Sequence, residues 1–471
     1  LKIELSCFGQ GSGNGLSTGG PAVSGTIIRG LCINQSVGRG IIVSHTAIPI
    51  NGPTGVTIVG NFIGTDITGT MDFGNSSVGI ELHAASSNTI GGPAPADRNV
   101  ISGNNREGIR VSPVGGFAPG PTSNVIQGNY IGTNAVGTAA LPNTFYGIAI
   151  DSSRDNLIGG TVVGAGNVVS GNSSIGIRVT GGSFGTGNVI QGNIVGLDAS
   201  GTADLGNALQ GILLAANSDT IGGTTPDARN VISGQTFEGI ELSAASNVVI
   251  RGNYIGTDIT GTIAFSNSTG IDIGTGSIGP IVGGAMAGAG NLISGNGTGI
   301  RVGTTGGSSI QSNYIGTDGT GTLDLGNQAD GIRLASVSNT IGGTGAGEGN
   351  LISGNNANGI RIDLGAGSTP NVIQGNKIGT DRSGVAVLAN SSSGLFINNA
   401  RYNYIGGATS AARNIISGNG LHGIHMTGGA TAEFNAVYGN LIGVDASGLP
   451  MGNGQNGILM FNGDADTVGG D

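Results

Sequence analysis

Along most of the chain, apolar residues come in short, largely β-branched bursts punctuated by Gly, Asn, Ser and Asp. Asn99-Val100-Ile101, Asn124-Val125-Ile126 and Gly108-Ile109-Arg110-Val111 are typical. Polar and apolar positions alternate with period two, as in half-buried strands, and the bounding residues are turn formers. No stretch sustains the rhythm of a helix. The pattern predicts many short strands and no helices.

The bursts recur in a fixed order. A block Gly-Asn-aromatic-Ile-Gly-Thr-Asp returns with its Asn at Asn61, Asn129, Asn193, Asn253, Asn313, Asn376 and Asn440, at intervals of 60 to 68 residues. Between these lies Asn-Val-Ile-Ser-Gly-Asn, opening at Asn99, Asn167, Asn230, Asn291, Asn350 and Asn414. A Gly-Ile-x-apolar run occurs twice per repeat, as at Gly79-Ile80-Glu81-Leu82. Each repeat therefore divides into two turns of about 30 residues, each with three strands. The first strand is of the Asn88-Thr89-Ile90 type, the second of the Asn129-Tyr130-Ile131 type, and the third is the Gly-Ile-x-apolar run.

Short strands in an unvarying order, with no helices to cover them, bury their apolar side by winding into a coil whose turns stack about 4.8 Å apart. The fold class expected is all-β, a right-handed parallel β-helix (solenoid). Fifteen Gly-Ile-like strands, from Gly15-Leu16 to Gly457-Ile458, imply about 15 turns and a rod of roughly 70 Å. We expect one domain over 1–471, with an atypical N-terminal turn over 1–25 and two-turn repeats over 26–470. In Asn-x-Ile the outer positions hold while the middle varies, which turns Asn and Ile inward and the middle residue outward. Asparagines stacked at the corners can then hydrogen-bond along the axis. Glycine supplies corners with positive φ.

Composition narrows the function classes. There are 98 glycines in 471 residues, without the every-third-residue period of collagen, and only 13 prolines. An apolar content of 37% is too high for a disordered chain. The net charge of −10 argues against a nucleic-acid partner, which calls for a basic surface. No run of eighteen apolar residues is present, so no membrane-spanning helix is expected. Lys2 and Lys377 are the only lysines, which suits life outside the cell. With no initiator Met and no signal peptide, Leu1 reads as the start of a processed, trimmed or internal piece. Cys7 and Cys32 either form a disulfide, worth roughly 3 kcal/mol for a loop of about 25 residues, or remain thiols.

At the two Asn-containing blocks the sequence resembles the right-handed parallel β-helix proteins of the pectate-lyase-like superfamily, in particular bacterial secreted repeat proteins. The resemblance runs from about Thr26 to Gly470 and implies the fold more strongly than any function, because one fold hosts many activities. Lyases of that superfamily cluster carboxylates around calcium and use a basic residue to take the proton beside a uronate. The related hydrolases carry paired aspartates, Gly-His-Gly and Arg-x-Lys. None of these constellations is evident. Among His45, His83, His422 and His425, the run Leu421-His422-Gly423-Ile424-His425 comes nearest. His425 falls at an outward position, where a surface imidazole is expected. Asp66, Asp198, Asp258, Asp318, Asp381 and Asp445 recur once per two turns, about 9.6 Å apart, too far for neighbours to share one calcium ion. Asn134 replaces one of them. Turn closure is the expected role, and neither a metal nor a cofactor is expected.

Two outward stripes are candidate surfaces. Second strands present an apolar ladder that includes Phe62, Val100, Tyr130, Tyr254, Tyr314 and Leu351. Such a ladder marks an interface unless the loop after each second strand, such as 65–75, folds back over it, and covering is the favoured reading. Third strands present Arg301, Arg333 and Arg361 in consecutive turns, with Asp272 beside Arg301; the basic strip is able to hold an anionic sugar or a neighbour's carboxylates, while a merely solvated face is the favoured reading. Tyr130, Tyr254 and Tyr314 with Arg301, Arg333 and Arg361 are the candidate binding residues; no catalytic residue is nominated. Asn267 and Asn296 lie in Asn-x-Ser/Thr sequons, which leaves glycosylation open, although the pattern is expected by chance in so Asn- and Ser-rich a chain. The chain opens on what reads as a second strand and stops in a first strand, so copies are expected to self-associate head to tail, with side-by-side association as a further mode, unless the ends mark only where a longer protein was cut. The function expected is an extracellular structural or adhesive rod at the cell surface, with surface polysaccharide as a further partner. A polysaccharide-binding or polysaccharide-degrading, lyase-like protein is the alternative.

Overall fold

In the structure, a computed structural model, residues 2–7, 13–19, 23–44, 52–116, 120–363, 369–428, 434–461 and 465–469 are described. The fold is a right-handed parallel β-helix. Three strands per turn assemble into three parallel sheets of 15 strands, one sheet for each strand type. We number these sheets one, two and three after the first, second and third strands. No α-helix occurs among the described residues, where helical geometry is limited to short 3-10 turns such as Pro95–Asp97.

The chain divides into two compact units, Leu1–Ile240 and Glu241–Asp471. In the first unit each strand pairs with its counterpart one turn away, as in Val100 with Tyr130 and Ile101 with Ile131 in sheet two. The same register places Ile109 beside Ile148 in sheet three and Ile126 beside Ile158 in sheet one. The second unit repeats the scheme, with Tyr254 beside Leu292 and Ile300 beside Ile332. The isoleucines of these rungs are fully buried and make one apolar column inside each unit.

Asparagine completes the interior. In sheet two of the first unit, Asn61, Asn99, Asn129, Asn167 and Asn193 stack rung on rung, each accepting from the amide of the previous one. A second ladder runs through Asn75, Asn104, Asn143, Asn172 and Asn207. A third runs through Asn88, Asn124, Asn156 and Asn188 to Asp219. The second unit has its own, among them Asn267, Asn296, Asn327 and Asn355. Many of these amides also donate to a buried carbonyl, as Asn167 does to Ile126 at 2.8 Å. A polar side chain thus bridges the corner where strand pairing lapses, so the peptide groups there are satisfied.

This arrangement decides a point that the sequons left open. Asn267 and Asn296 are fully buried rungs with their amides engaged, so their sequons present no accessible nitrogen in the folded chain. Cys7 and Cys32 are free thiols. Ser6 stands opposite Asn34 and Glu4 opposite Cys32, which sets the two cysteines three positions out of register, roughly 10 Å along the strand and beyond disulfide reach. Burial pushes the Cys32 thiol up to about 11.

Tight stacking explains the glycine that opens each third strand. A Cβ on Gly108 would lie 2.8 Å from the Gly147 carbonyl oxygen and 2.8 Å from Ile131 Cγ2. Gly108→Ala is expected to destabilise the fold by about 1–3 kcal/mol, read as a lowered urea midpoint.

Candidate functional site

The loops after the second strands come first, because they decide what the apolar ladder can do. In the loop 65–75, Asp66 Oδ1 accepts from the backbone N–H groups of Thr70 and Met71 at 2.9 Å each, while Oδ2 accepts from Thr68. Asp198, Asp258 and Asp318 repeat the turn. Asn134 keeps one of its bonds, to the Thr138 N–H. Burial alone would raise these carboxyls; the hydrogen bonds outweigh it and hold Asp66, Asp198, Asp258 and Asp318 below the ordinary carboxylate value. The aspartates are turn-closing groups with their lone pairs committed.

These loops fold back over sheet two. Gly69 lies against the Phe62 ring, Gly137 against Tyr130, Gly261 against Tyr254 and Gly321 against Tyr314, each so close that a Cβ would come within about 3 Å of the ring. Each of these glycines also has φ near +70°. Val100, Val168, Val231, Leu292 and Leu351 are buried, and Tyr130, Tyr254 and Tyr314 are half-buried. The tyrosines therefore sit under loops on sheet two, away from the arginines on sheet three. The structure does not bring the two candidate groups together.

The outer face of sheet three carries the charge. In the second unit, Arg301 reaches Asp272 with two bonds of 2.7 Å. This pair is less exposed than a surface pair, because the Asp272 side chain is only 10% exposed. Arg333 and Arg361 share Asp363, at 2.8 and 2.9 Å. Asn398 also donates to Asp363, at 3.0 Å. Burial pushes the Asp363 carboxyl up, but the bonds from Asn398, Arg361 and Arg333 outweigh it and hold it below its ordinary value. Both arginines bond Asp363 through Nε. Their terminal guanidinium nitrogens have no hydrogen-bond partner among the described residues. The Arg361 guanidinium also lies 5.3 Å from the Phe396 ring centroid.

The first unit holds a similar group. Arg110 and Arg178 share Asp151, at 3.0 and 2.9 Å. The guanidinium of Arg178 sits 5.1 Å from the Tyr146 ring centroid. In each group one carboxylate fixes two guanidiniums, leaves one net positive charge, and sets an aromatic ring beside one arginine. Phe396 is the outward residue of its third strand, in register with Arg361, as its place in the Gly-x-x-x run implies. Asp151, Asp363 and Tyr146 escaped sequence reasoning, because they come from strand ends and from the corner before the strand, positions without a repeating residue type. The outward Glu81 is also buried, beneath Arg39, with Ser112 donating to it.

His425 is half-buried, 5.0 Å from the Phe396 ring and 5.1 Å from the buried His422. Burial, and then His422, lower its pKa, so it is neutral at pH 7. His45 lies outside the described residues. No group of three or more His, Cys, Asp or Glu residues that could hold a metal occurs among the described residues. No described helix is long and apolar enough to cross a membrane.

No family model matches the chain, and no curated protein does. Solved structures do. The Dettilon tailspike protein is similar at 15% identity over 84% of this chain, with a TM-score of 0.38. A mutant of the periplasmic alginate epimerase AlgG is similar at 12% identity over 93% of this chain and 76% of its own, with a TM-score of 0.35. PfbA, a surface adhesin of Streptococcus pneumoniae, is similar at 10% identity over 84% of both chains, with a TM-score of 0.31. All three are β-helix proteins. The chain spans 62% of the tailspike's length. The likeness is one of fold, which the sheet topology of this β-helix already establishes.

Proposed function

We propose that this β-helix is an extracellular structural or adhesive rod that holds an acidic surface polysaccharide against the arginines of sheet three. The observation that carries the reading is the Arg333–Asp363–Arg361 group. Asp363 takes each guanidinium by Nε and leaves the terminal nitrogens directed elsewhere. Two pre-positioned guanidinium ends suit a carboxylate or sulfate, since guanidinium binds such groups through paired N–H donors. Arg301, bound to Asp272, extends the strip by one turn.

Calorimetric titration with polygalacturonate oligomers tests this. Arg333→Gln with Arg361→Gln is expected to weaken binding at least tenfold, and added salt to weaken the parent protein in the same direction. Undiminished affinity in the double variant would overturn the proposal. Degradation is the alternative, and it is read by ultraviolet absorbance of unsaturated product, of which none is expected. End-to-end stacking of copies into fibres belongs to the same proposal, because unpaired strand edges template further pairing. Electron microscopy of concentrated protein is expected to show chains of particles; isolated particles alone would remove stacking from the reading.

A further inference from the structure

At the corner before each first strand the chain turns through a left-handed residue. In the second unit this position is mostly filled by residues that tolerate such a φ or are small, such as Asn247, Gly279, Gly307, Ser338 and Ala465. Tyr402 and Phe434 break the pattern in two successive turns, at φ of +56° and +62°. Bulky side chains are rare in this conformation, and outliers of this kind cluster at ligand sites. The two rings stack, with centroids 5.2 Å apart and planes 10° from parallel. Their backbones are locked together by the next residues, because Asn403 donates to Asn435 at 2.8 Å. In the following turn Asp466 caps Asn435, and the corner residue is Ala465, so no third ring continues the stack. Phe434 is 46% exposed and Tyr404, in the same turn as Tyr402, is 40% exposed. The Arg401 guanidinium is 5.7 Å from the Tyr402 ring centroid, and among the described residues it makes no ion pair.

We infer that Tyr402, Phe434 and Arg401 form a saccharide-stacking site, in which a sugar ring lies on the aromatic pair and its carboxylate meets the guanidinium. An aromatic face fits the C–H face of a pyranose, while the Tyr402 hydroxyl and Arg401 supply donors for its polar edge. An unpaired guanidinium on a chain of net charge −10 favours an acidic sugar over a neutral one or an acidic protein surface. The site lies round the corner from Phe396, six residues later, where the next turn begins. It rests on the reading of the partner as an acidic polysaccharide, but uses none of the sheet-three arginines.

The test is calorimetric titration with a polygalacturonate hexamer, with maltohexaose as the neutral comparison. Tyr402→Ser with Phe434→Ser is expected to fold with an unchanged or raised thermal midpoint, since Ser338 occupies the same corner, yet to bind the acidic hexamer at least tenfold more weakly. Arg401→Gln is expected to lower affinity for the acidic hexamer about threefold or more, and not for maltohexaose. Saturation transfer in the parent protein, from aromatic protons to the sugar C–H groups, gives a readout that needs no variant. Undiminished affinity in the Tyr402/Phe434 variant, or no transfer and no binding by the parent at millimolar hexamer, would overturn the site. Running the titration also in the Arg333→Gln, Arg361→Gln protein separates the two readings. Residual binding there that vanishes with the ring pair supports this site; a response to the arginines alone leaves sheet three standing and removes it.

Discussion

Asp219→Asn is expected to stabilise the protein at pH 8 by about 2–4 kcal/mol and to change little at pH 4. Asp219 ends the ladder Asn88–Asn124–Asn156–Asn188 in the first unit, and its Oδ1 accepts from the Asn188 N–H and side-chain amide at 2.7 and 3.2 Å. Its Oδ2 is buried with no hydrogen-bond partner. Burial pushes the carboxyl up to about 7, with a smaller push from Asp155, although the Asn188 bonds oppose it. In the unfolded chain the same group titrates near 4. The native state therefore binds the proton more tightly than the unfolded state does. Below pH 4 both states are protonated and the group costs nothing. As pH rises from 4 to 7 the unfolded chain releases its proton first, and native stability falls by about 4 kcal/mol. Above 7 the loss is constant. Asparagine offers the same Oδ1 and places an uncharged amide where the orphan oxygen sits, so the gap between variant and parent should open over that window. Urea midpoints at pH 4 and 8 measure it; an equal gap at both values would refute the assignment.

Asn167→Ala should be the most damaging of the interior substitutions, at about 3–5 kcal/mol. The Asn167 oxygen accepts from both the N–H and the amide of Asn129 at 3.0 Å. Its own amide donates to the Ile126 carbonyl at 2.8 Å and to Asn193 at 2.9 Å. Alanine strands the Asn129 N–H and the Ile126 carbonyl in a dry corner and breaks the ladder between two rungs. Leucine is expected to do no better, since filling the space leaves the same peptide groups unpaired. Gln235 shows what the corner tolerates: it follows Asn207 in the Asn75 ladder and accepts from both nitrogens of Asn207. Hydrogen exchange should show the loss concentrated at the turns around Asn129 and Asn193. A variant as stable as the parent would mean that the ladders fill space without holding the turns together.

Much of the fold was legible before any coordinates. Asn129, Tyr130 and Ile131 show why: period-two alternation in a short strand leaves one way to face, and a repeat of such strands leaves one way to bury them. The inward Asn, the inward Ile and the outward middle residue follow from that. The Asp66-type turns were legible too, because a spacing of two turns is too long for a shared ion. The covered ladder over Phe62 and Tyr130 was legible as a preference, since a loop of eleven residues (65–75) is long enough to fold back.

What escaped was everything that depends on which side chains meet across turns. Arg333 and Arg361 announce themselves through a repeating position, but Asp363 does not, and without it they read as two free charges beside the Asp272–Arg301 pair. Tyr402 and Phe434 stand 32 residues apart outside any repeated motif, and only the stacking of equivalent corners lays one ring on the other. Asn267 and Asn296 look like surface sequons in one dimension and are buried rungs in three. By itself the sequence determined the strand type, the order of strands and which side of each is apolar, because those depend on local periodicity. Only the tertiary structure decided which outward residues lie under loops, which charges neutralise each other and where aromatic rings converge, because those are set by neighbours about thirty residues away along the chain and one rung, about 4.8 Å, away in space.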